Sequence, residues 1–502
     1  MGPHKLVMHL RTTFESGKTK PIEYRIEQLK SLKKMLQEKS ETISQCLYDD
    51  LHKSKHDSIL MEIDFCINDI RYTLSHIREW VKPDYPATSV ANMLDTVQVL
   101  KEPFGVALVI GAWNYPLQLV LGPLIGAISA GNCVVIKPSE LAPRTADFLA
   151  KNLPEYLDRD AYQVYEGGAA ETTELLKERF DYIFYTGSTE VGKIVHAAAA
   201  KHLTPTTLEL GGKSPVYLDN TADLETAARR ILWGKCANAG QTCVAPDYLL
   251  CTKEVQQDLV RVCRRVIEEY YGKKPQESGD YGRIVNDRHF RRVTALLEGC
   301  KVAVGGETDA GDRYIAPTVL TDVKGDDVIM REEIFGPLLP IVPIRDVAEA
   351  IRFINEREKP LAMYIFSNNT RDVDRILRET SAGGVTVNDT IMHLTVNTLP
   401  FGGVGGSGMG SYHGRHSFLA FTHEKGVLRK NLGFVGEMLS RARWRLRHFR
   451  YPPYTKGKLS YLSVLLRPEL VVPTAWLRHA LSFGLGMAAC YTFLCLYNMR
   501  RD

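Results

Sequence analysis

Apolar residues recur at three- and four-residue steps through residues 20–80, for example in IEQLKSLKKMLQEKSETISQCLYDDL. This spacing places them on one face of a helix, so the pattern predicts a series of amphipathic helices. The next segment, TVQVLK at 96–101, alternates apolar and polar residues. Such alternation predicts a strand in an exposed pair rather than in a core sheet.

Beyond this segment, short apolar runs alternate with helical stretches. The runs are VALVIGAW (106–113), CVVIKP (133–138), YQVYEGG (162–168) and DYIFYTG (181–187). Nearly continuous apolar runs are typical of strands buried on both faces of a parallel sheet. Strands and helices alternating at this spacing predict a doubly wound α/β domain.

A second α/β run begins near Leu210. It contains VYLD, a helix at 223–234, the strand DYLLCT at 247–252 and a long helix at 254–271. Residues 334–425 add LLPIVPI, a further helix, LAMYIFS and a glycine-rich stretch. The whole pattern therefore predicts two doubly wound, Rossmann-like α/β domains.

The charge is distributed unevenly along the 502 residues, whose formal net charge is +4. Residues 426–458 hold nine Lys or Arg against one acid, and residues 459–502 hold four against two. The first 425 residues are therefore mildly acidic, and the basic character belongs to the tail. A basic tail of this kind gives no reason to expect a nucleic-acid partner.

The carboxyl-terminal segment ALSFGLGMAACYTFLCLY, residues 480–497, is uncharged and is flanked by Arg478, Arg500 and Arg501. As a helix it would be about 27 Å long, enough to cross a thin bilayer. We expect a membrane anchor, and the alternative is a buried core helix. The ten cysteines form no CxxC pair and no zinc spacing, so neither a metal site nor a disulfide framework is expected.

Three places carry residue types suited to chemistry. The turn GSTEVG, Gly187 to Gly192, joins a strand to a helix, so it is either a phosphate site or an ordinary turn. Lys137 and Glu140, in KPSE after another strand, suit a ribose but also suit a solvated loop.

The third place combines an acid and a thiol. Glu209 stands among apolar residues in LELGGKSP, where it is either a buried general base or a strand residue facing water. Cys243 in GQTCVAP is either a nucleophile or a buried structural cysteine, and composition does not choose between them.

Seven motifs, in order along residues 1–430, resemble the aldehyde dehydrogenase family. They are GAWNYP, IKPSE, GSTEVG, LELGGKSP, GQTCVAP, EEIFGP and FGGVGGSGMG. The finer resemblance is to the class 3 branch and its membrane-bound fatty aldehyde enzymes. It rests on FYTGSTEVGKIV, TLELGGKSP, INEREKPLA, SYHGRHSF, RYPP and the hydrophobic tail.

The resemblance implies roles for the ambiguous residues. Cys243 matches the family's nucleophile, Glu209 its general base and Asn114 its oxyanion-binding amide. Cofactor contacts are implied for two sets of residues. The adenosine and pyrophosphate set is Gly187, Ser188, Thr189, Glu190, Val191, Gly192, Lys137 and Glu140, and the nicotinamide set is Glu333 and Phe335.

The same resemblance implies NAD as the cofactor, with NADP tolerated, and a long-chain aldehyde as the substrate. Residues 1–80 and 104–210 would form the NAD-binding domain and residues 211–410 the catalytic domain. Residues 81–103 and 411–430 would form a small β element for oligomerisation, in a homodimer. The FGGVGGSGMG segment matches a glycine-rich turn near that interface.

The resemblance also implies how the carboxyl-terminal tail is organised. Residues 431–479 would be a basic tail and gating segment, and residues 480–497 a C-terminal membrane helix. The helix would bind membrane lipid at the endoplasmic reticulum, with the body in the cytosol. The alternatives are a medium-chain or aromatic aldehyde enzyme, an acylating enzyme that uses coenzyme A, and a non-catalytic NAD-binding scaffold.

Overall fold

The computed structural model describes residues 2–89, 92, 95–430, 456, 459–460, 463, 471–472 and 487. The chain forms two compact units. The first unit is Met1–Trp80 with Pro103–Thr422, and the second is drawn from Val81–Glu102 and His423–Asp502. All the predicted catalytic and cofactor residues belong to the first unit.

The helices and strands of the described residues follow the predicted alternation. The α-helices are α1 (Pro3–Glu15), α2 (Ile22–Glu38), α3 (Ser40–Leu51), α4 (Lys55–Ser58), α5 (Asp64–Trp80), α6 (Gln118–Ala130), α7 (Pro143–Tyr156), α8 (Ala169–Leu175), α9 (Thr189–Ala200), α10 (Leu224–Cys236), α11 (Lys253–Tyr271), α12 (Asp287–Ala295), α13 (Val347–Asn355), α14 (Thr370–Glu379) and α15 (Arg415–Ala420). The strands are β1 (Thr88–Ser89), β2 (Thr96–Pro103), β3 (Val106–Ile110), β4 (Cys133–Lys137), β5 (Tyr162–Val164), β6 (Tyr182–Thr186), β7 (Thr206–Glu209), β8 (Pro215–Leu218), β9 (Tyr248–Cys251), β10 (Lys301–Val304), β11 (Thr308–Asp309), β12 (Tyr314–Ile315), β13 (Thr318–Thr321), β14 (Leu338–Pro343), β15 (Ala362–Phe366), β16 (Gly384–Val387), β17 (Gly408–Met409), β18 (Thr422–Arg429) and β19 (Val471–Val472).

The first sheet has six strands in the order β17-β7-β6-β3-β4-β5. Strands β5, β4, β3, β6 and β7 are parallel, and all five residues of β3 are buried. That burial explains the unbroken apolar run VALVI, because helices cover both faces of a parallel sheet. The chain order reverses between β3 and β6, which is where doubly wound sheets open a ligand crevice.

The second sheet has seven strands in the order β10-β13-β14-β9-β8-β15-β16. Strands β13, β14, β9, β8, β15 and β16 are parallel, and β10 pairs with β13 in the antiparallel sense. A hydrophobic core that includes Tyr248, Leu250 and Ile365 packs against this sheet. Both predicted α/β domains are therefore present as sheets.

The sheets depart from the predicted purely parallel arrangement because each carries an antiparallel edge strand. In the first sheet this strand is β17, which pairs Gly408 with Glu209. It joins the first sheet although the predicted range 211–410 grouped it with the catalytic domain. The chain turns sharply in the glycine-rich segment, so it returns beside β7 in the opposite direction.

The exposed strand pair predicted at 96–101 is confirmed as β2, which forms a two-stranded sheet with β18. The range 411–430, predicted as strand, also contains helix α15. Among the described residues, no helix combines the length and the apolar character needed to cross a membrane. The anchor predicted at 480–497 lies outside the described residues except for Met487.

A buried arginine joins the amino-terminal helices to helix α6. The Arg25 guanidinium in α2 donates to the carbonyl oxygens of Thr19 (3.3 Å), Lys20 (2.6 Å) and Ser129 (3.0 Å). Ser129 lies in the last turn of α6, whose carbonyl groups have no partner within the helix. Burial lowers the pKa of Arg25 to about 10, so this side chain remains charged at neutral pH.

Replacing Arg25 by methionine should destabilise the fold by roughly 3 kcal/mol, because three carbonyl groups lose a charged donor. Thermal unfolding followed by circular dichroism should show a lower midpoint. Arg71→Ala is the matched control, since Arg71 is exposed and bonds only to the exposed Asn68. Equal midpoints for the two variants would show that the Arg25 hydrogen bonds do not stabilise the fold.

Candidate active site

The first sheet brings three predicted site residues to one edge. Asn114 follows β3, the turn beginning at Gly187 follows β6, and Glu209 is the last residue of β7. The carboxyl ends of these parallel strands lie at the same edge of the sheet. The strand order therefore places the amide, the phosphate-type turn and the acid together.

Cys243 is carried on a loop with an uncommon backbone conformation. After α10 the chain forms a tight turn, Ala237–Gly240, in which Asn238, Ala239 and Gly240 have φ of 52°, 52° and 77°. Non-glycine residues adopt this left-handed conformation only when the surroundings hold them there. A Cβ on Gly240 would overlap the carbonyl of Gly336, so only glycine fits.

Side chains on both sides of Cys243 hold this loop. The Gln241 amide donates to the carbonyls of Asn238 (3.0 Å) and Arg283 (2.9 Å), and its oxygen accepts from the backbone N–H of Val285 (3.0 Å). Beyond the cysteine, the Tyr364 hydroxyl donates to the carbonyl of Val244 at 2.5 Å. The thiol is therefore fixed by groups from the second sheet.

Cys243 lies on the wall of two cavities. The larger has a volume of about 730 Å³ and contains the predicted residues Asn114, Gly187, Ser188, Thr189, Glu190, Glu209, Glu333 and Phe335 in its lining. The smaller, about 370 Å³, has a mostly apolar lining that includes Leu60, Met61, Phe65, Tyr115, Leu119, Trp233, Val244, Ile391, Met392, Leu394, Phe401 and Tyr412. We call them the cofactor cavity and the apolar cavity. The thiol can therefore meet a different molecule from each side.

The Asn114 side chain lies against the cysteine loop. Its amide nitrogen donates to the carbonyl of Gln241 at 3.0 Å, which leaves its second N–H for another acceptor. The backbone carbonyl oxygen of Asn114 accepts from the Asn238 side-chain amide at 2.7 Å and from the Lys53 ammonium at 2.8 Å. This arrangement suits an amide that stabilises a developing oxyanion on a molecule attached to Cys243.

Glu209 is buried, and neither carboxyl oxygen has a hydrogen-bond partner among the described residues. Burial raises the pKa of Glu209 well above its ordinary value. Burial also raises the pKa of the Cys243 thiol, and the carboxyl groups of Glu333 and Glu209 add to the effect. The site therefore combines a thiol with a buried acid that binds its proton more tightly than an exposed glutamate does.

The other end of the cofactor cavity is the amino terminus of α9. The Ser188 hydroxyl caps this helix by accepting from the N–H of Val191 at 3.4 Å. A Cβ on Gly192 would approach Leu210 to 2.7 Å, so the glycine lets the helix pack closely on the sheet. The buried Thr186 hydroxyl lines the same cavity and has no hydrogen-bond partner among the residues that the structure describes. A helix amino terminus beside an unpaired hydroxyl fits a ligand with phosphates and hydroxyl groups, as a dinucleotide has.

Glu333 and Phe335 come from a loop of the second sheet that an ion pair holds. The Lys213 ammonium bonds Asp247 and also donates to the carbonyl of Glu332 at 2.9 Å. The second Asp247 oxygen accepts from the N–H of Ile334 at 3.0 Å. Burial, with the Asp247 charge, raises the pKa of Glu333 to about 8. A carboxyl group in this position suits ribose hydroxyls.

Several predicted residues lie away from these cavities. Lys137 and Glu140 form an ion pair at 2.8 Å, and neither lines the cofactor cavity. Val191 and Gly192 are also absent from its lining. Cys236, which is the first cysteine of the segment CANAGQTC and not a predicted site residue, packs in the core of the second sheet, where burial raises the pKa of its thiol to about 12. Cys236 therefore has the environment of a structural cysteine.

The sequence patterns missed two features of the site. One is the buried Lys53–Glu62 ion pair below Asn114, which no motif signals. The other is the position of FGGVGGSGMG, which was predicted near an oligomer interface. Its Gly406 lines the cofactor cavity, and a Cβ on Gly402 would lie 3.1 Å from Glu209 Oε1. A side chain at Gly402 would therefore crowd the Glu209 carboxyl group.

Comparison with known proteins agrees with this geometry. The model of the Aldehyde dehydrogenase family matches residues 4–427. Aldehyde dehydrogenase family 3 member A2 of Pongo abelii is 52% identical over 455 residues, which are 91% of this chain and 92% of the relative. Aldehyde dehydrogenase, dimeric NADP-preferring, of Mus musculus is 51% identical over 448 residues, covering 89% and 97%.

A solved structure extends the agreement to three dimensions. The substrate-bound state of Staphylococcus aureus AldH superposes with a TM-score of 0.87 at 43% sequence identity. The match covers 92% of this chain and 99% of that protein. The similarity therefore includes both sheets and the loops between them.

Proposed function

The chain belongs to the aldehyde dehydrogenase family, and from that premise we propose that it oxidises long-chain aliphatic aldehydes to fatty acids, with NAD as the preferred cofactor. Family membership confirms the predicted reaction class. The protein is an NAD(P)-dependent oxidoreductase that acts on aldehydes. The substrate chain and the role of each residue are the proposal.

The observation that carries this proposal is the position of Cys243 between the two cavities. The apolar cavity of about 370 Å³ has a wall that suits an alkyl chain. The cofactor cavity has a helix amino terminus at one end and the thiol at the other. An aldehyde carbon held at Cys243 would therefore have its chain on one side and the dinucleotide on the other.

In the first half-reaction the Cys243 thiol gives its proton to water in the cofactor cavity, and the thiolate sulfur attacks the aldehyde carbon. The electron pair of the broken C=O π bond moves to the oxygen, and a thiohemiacetal anion forms. The free N–H of Asn114 and the backbone N–H of Cys243 stabilise the oxygen that becomes negative. Asn114 fits this role because Gln241, two residues before the thiol, accepts its other N–H at 3.0 Å. Bound NAD supplies the acceptor for the hydride, and a thioester remains on Cys243.

In the second half-reaction Glu209 accepts a proton from water that attacks the thioester carbon. Its unpaired carboxyl oxygens leave room for water, and its raised pKa makes it a stronger base than an exposed glutamate. A hydrolytic base beside the thioester favours release of a carboxylic acid over transfer to coenzyme A. The product is a fatty acid and the free thiol.

The cofactor is held by the residues at the two ends of its cavity. The α9 amino terminus suits the pyrophosphate, and Glu333 suits the nicotinamide ribose. The preference for NAD comes from the family resemblance, which assigns Glu140 to the ribose 2′-hydroxyl, where a carboxylate would repel a 2′-phosphate. Glu140 itself pairs with Lys137 and does not line the cavity. The murine relative is named as NADP-preferring, which is consistent with tolerance of NADP.

We place the protein at the endoplasmic reticulum membrane as a homodimer whose body faces the cytosol. The uncharged residues 480–497 support a single carboxyl-terminal anchor, and the basic residues at 441–458 support contact with anionic lipid. The murine relative named as dimeric supports the oligomeric state. Long-chain aldehydes partition into bilayers, so an anchored enzyme would meet them there.

Cys243→Ala should lower aldehyde oxidation by roughly 10⁴-fold or more, because no other group reaches the aldehyde carbon. NAD binding should persist, since other residues form the cofactor cavity. NADH absorbance with decanal measures the first effect and calorimetry with NAD the second. Cys300→Ala is the control, because that thiol lines neither cavity. Substantial NADH from the Cys243 variant would assign the nucleophile elsewhere.

Glu209→Gln should keep the first half-reaction and slow the second by about 10²–10⁴-fold, because glutamine has the shape but cannot accept the proton. Stopped-flow traces should show a burst of NADH followed by slow turnover. Wild-type turnover should rise with pH, since only the ionised form of Glu209 is a base, and the variant should lose that rise. Equal loss of burst and turnover would count against the assigned role.

A chain that ends at Lys458 should leave the membrane fraction, because it lacks the apolar segment at 480–497. It should oxidise short aldehydes normally and lose activity preferentially on long ones, since it lacks residues 459–479 of the gating segment that the family resemblance implies for the substrate entrance. Fractionation and assays across chain lengths test both points. A truncated chain that still sediments with membranes would contradict the anchor, and unchanged long-chain activity would contradict the entrance role.

A further inference from the structure

A fully buried ion pair lies directly below the turn that carries Asn114. The side chains of Lys53 and Glu62 have no exposed surface, and the Lys53 ammonium donates to Glu62 Oε1. The second carboxyl oxygen accepts from the backbone N–H groups of Leu117 (2.9 Å) and Gln118 (3.1 Å). Glu62 thereby fixes the start of α6, immediately after the turn.

The lysine holds the turn itself. Its ammonium donates to the Asn114 carbonyl at 2.8 Å and lies 3.8 Å from the ring centre of Tyr115. The Tyr115 hydroxyl in turn bonds the Thr242 hydroxyl at 2.8 Å, next to Cys243. Lys53 and Glu62 therefore contact residues 114–118, and Tyr115 connects that segment to the loop of Cys243.

Fold stability alone gives little reason for such a pair. Removing two charges from water costs several kcal/mol per ion, and apolar residues of similar size often replace buried pairs without loss of stability. A pair with directed hydrogen bonds does provide a geometric constraint that apolar packing does not. It fixes the backbone of the turn at one distance and one orientation.

We propose that Lys53 and Glu62 are positioning residues that act through Asn114, holding its amide where the oxyanion forms on the substrate bound to Cys243. The inference rests on the proposed function, in which Asn114 stabilises that oxyanion. Without Lys53, the backbone carbonyl of Asn114 keeps the Asn238 amide as its one donor within the described part of the chain. The side-chain amide would then move relative to the thiol, and the rate of acylation would fall.

A double-mutant cycle tests this by the burst rate of NADH formation in Lys53→Met, Asn114→Ala and the double variant. Asn114→Ala should slow the burst by about 10²–10³-fold, as loss of one oxyanion donor does. Lys53→Met should slow it by about tenfold or more in the wild-type background. In the Asn114→Ala background it should have almost no further effect, because the group it positions is already gone.

The burst rate separates positioning from stability, since unfolded enzyme lowers the burst amplitude without changing its rate constant. Lys101→Met is the matched control, because the Lys101 side chain is 1% exposed and bonds the Lys82 carbonyl and Asp84 outside the site. It should leave the burst rate unchanged. If Lys53→Met fails to fold, Glu62→Gln replaces it in the same cycle, since it removes the charge and keeps the shape.

Two results would overturn the inference in different ways. Suppose that Asn114→Ala slows the burst, and that Lys53→Met slows the Asn114→Ala variant by the same factor as it slows the wild type. The ion pair then does not act through Asn114, while the proposed function stands. If Asn114→Ala leaves the burst rate unchanged, both the proposed role of Asn114 and the positioning inference fail.

Discussion

The left-handed backbone at residues 238–240 is the constraint on which the site depends. This turn directs the chain from α10 into the space between the two sheets and brings Cys243 to the wall of both cavities. It requires glycine at 240, because the carbonyl of Gly336 occupies the position of a Cβ. Gly336 belongs to the loop that also carries Glu333 and Phe335. One close backbone contact therefore fixes the loop of Cys243 relative to the loop of Glu333 and Phe335.

The buried charged groups near this turn differ in whether they have a partner of opposite charge. Lys213 with Asp247, and Lys53 with Glu62, are paired and hydrogen-bonded, and they hold backbone segments in place. Glu209 has no partner among the described residues, and its pKa is raised. Paired buried ions give fixed geometry, whereas an unpaired buried acid stays able to exchange a proton. The two ion pairs therefore suit the positioning of backbone segments, and Glu209 suits proton transfer.

The two sheets contribute different parts of the site. The first sheet places Asn114, the α9 amino terminus and Glu209 at the carboxyl ends of its strands. The second sheet supplies the cysteine loop and the loop of Glu333. The glycine-rich segment after β16 returns to the first sheet as β17, beside Glu209. Because the site needs both sheets, neither α/β domain contains a complete active site alone.

The sequence by itself determined the parallel strands, most helices and the family, because continuous apolar runs and co-linear motifs are local properties of the chain. Its motifs also predicted Cys243, Glu209 and Asn114 as site residues, and the structure brings all three to one cavity. Only the tertiary structure decided that Lys53 and Glu62 lie below Asn114, that β17 joins the first sheet, and that the FGGVGGSGMG segment adjoins Glu209. These contacts join residues about 60 to 200 positions apart. No local pattern encodes them, because they depend on how the packed helices and the two sheets close around the cysteine loop.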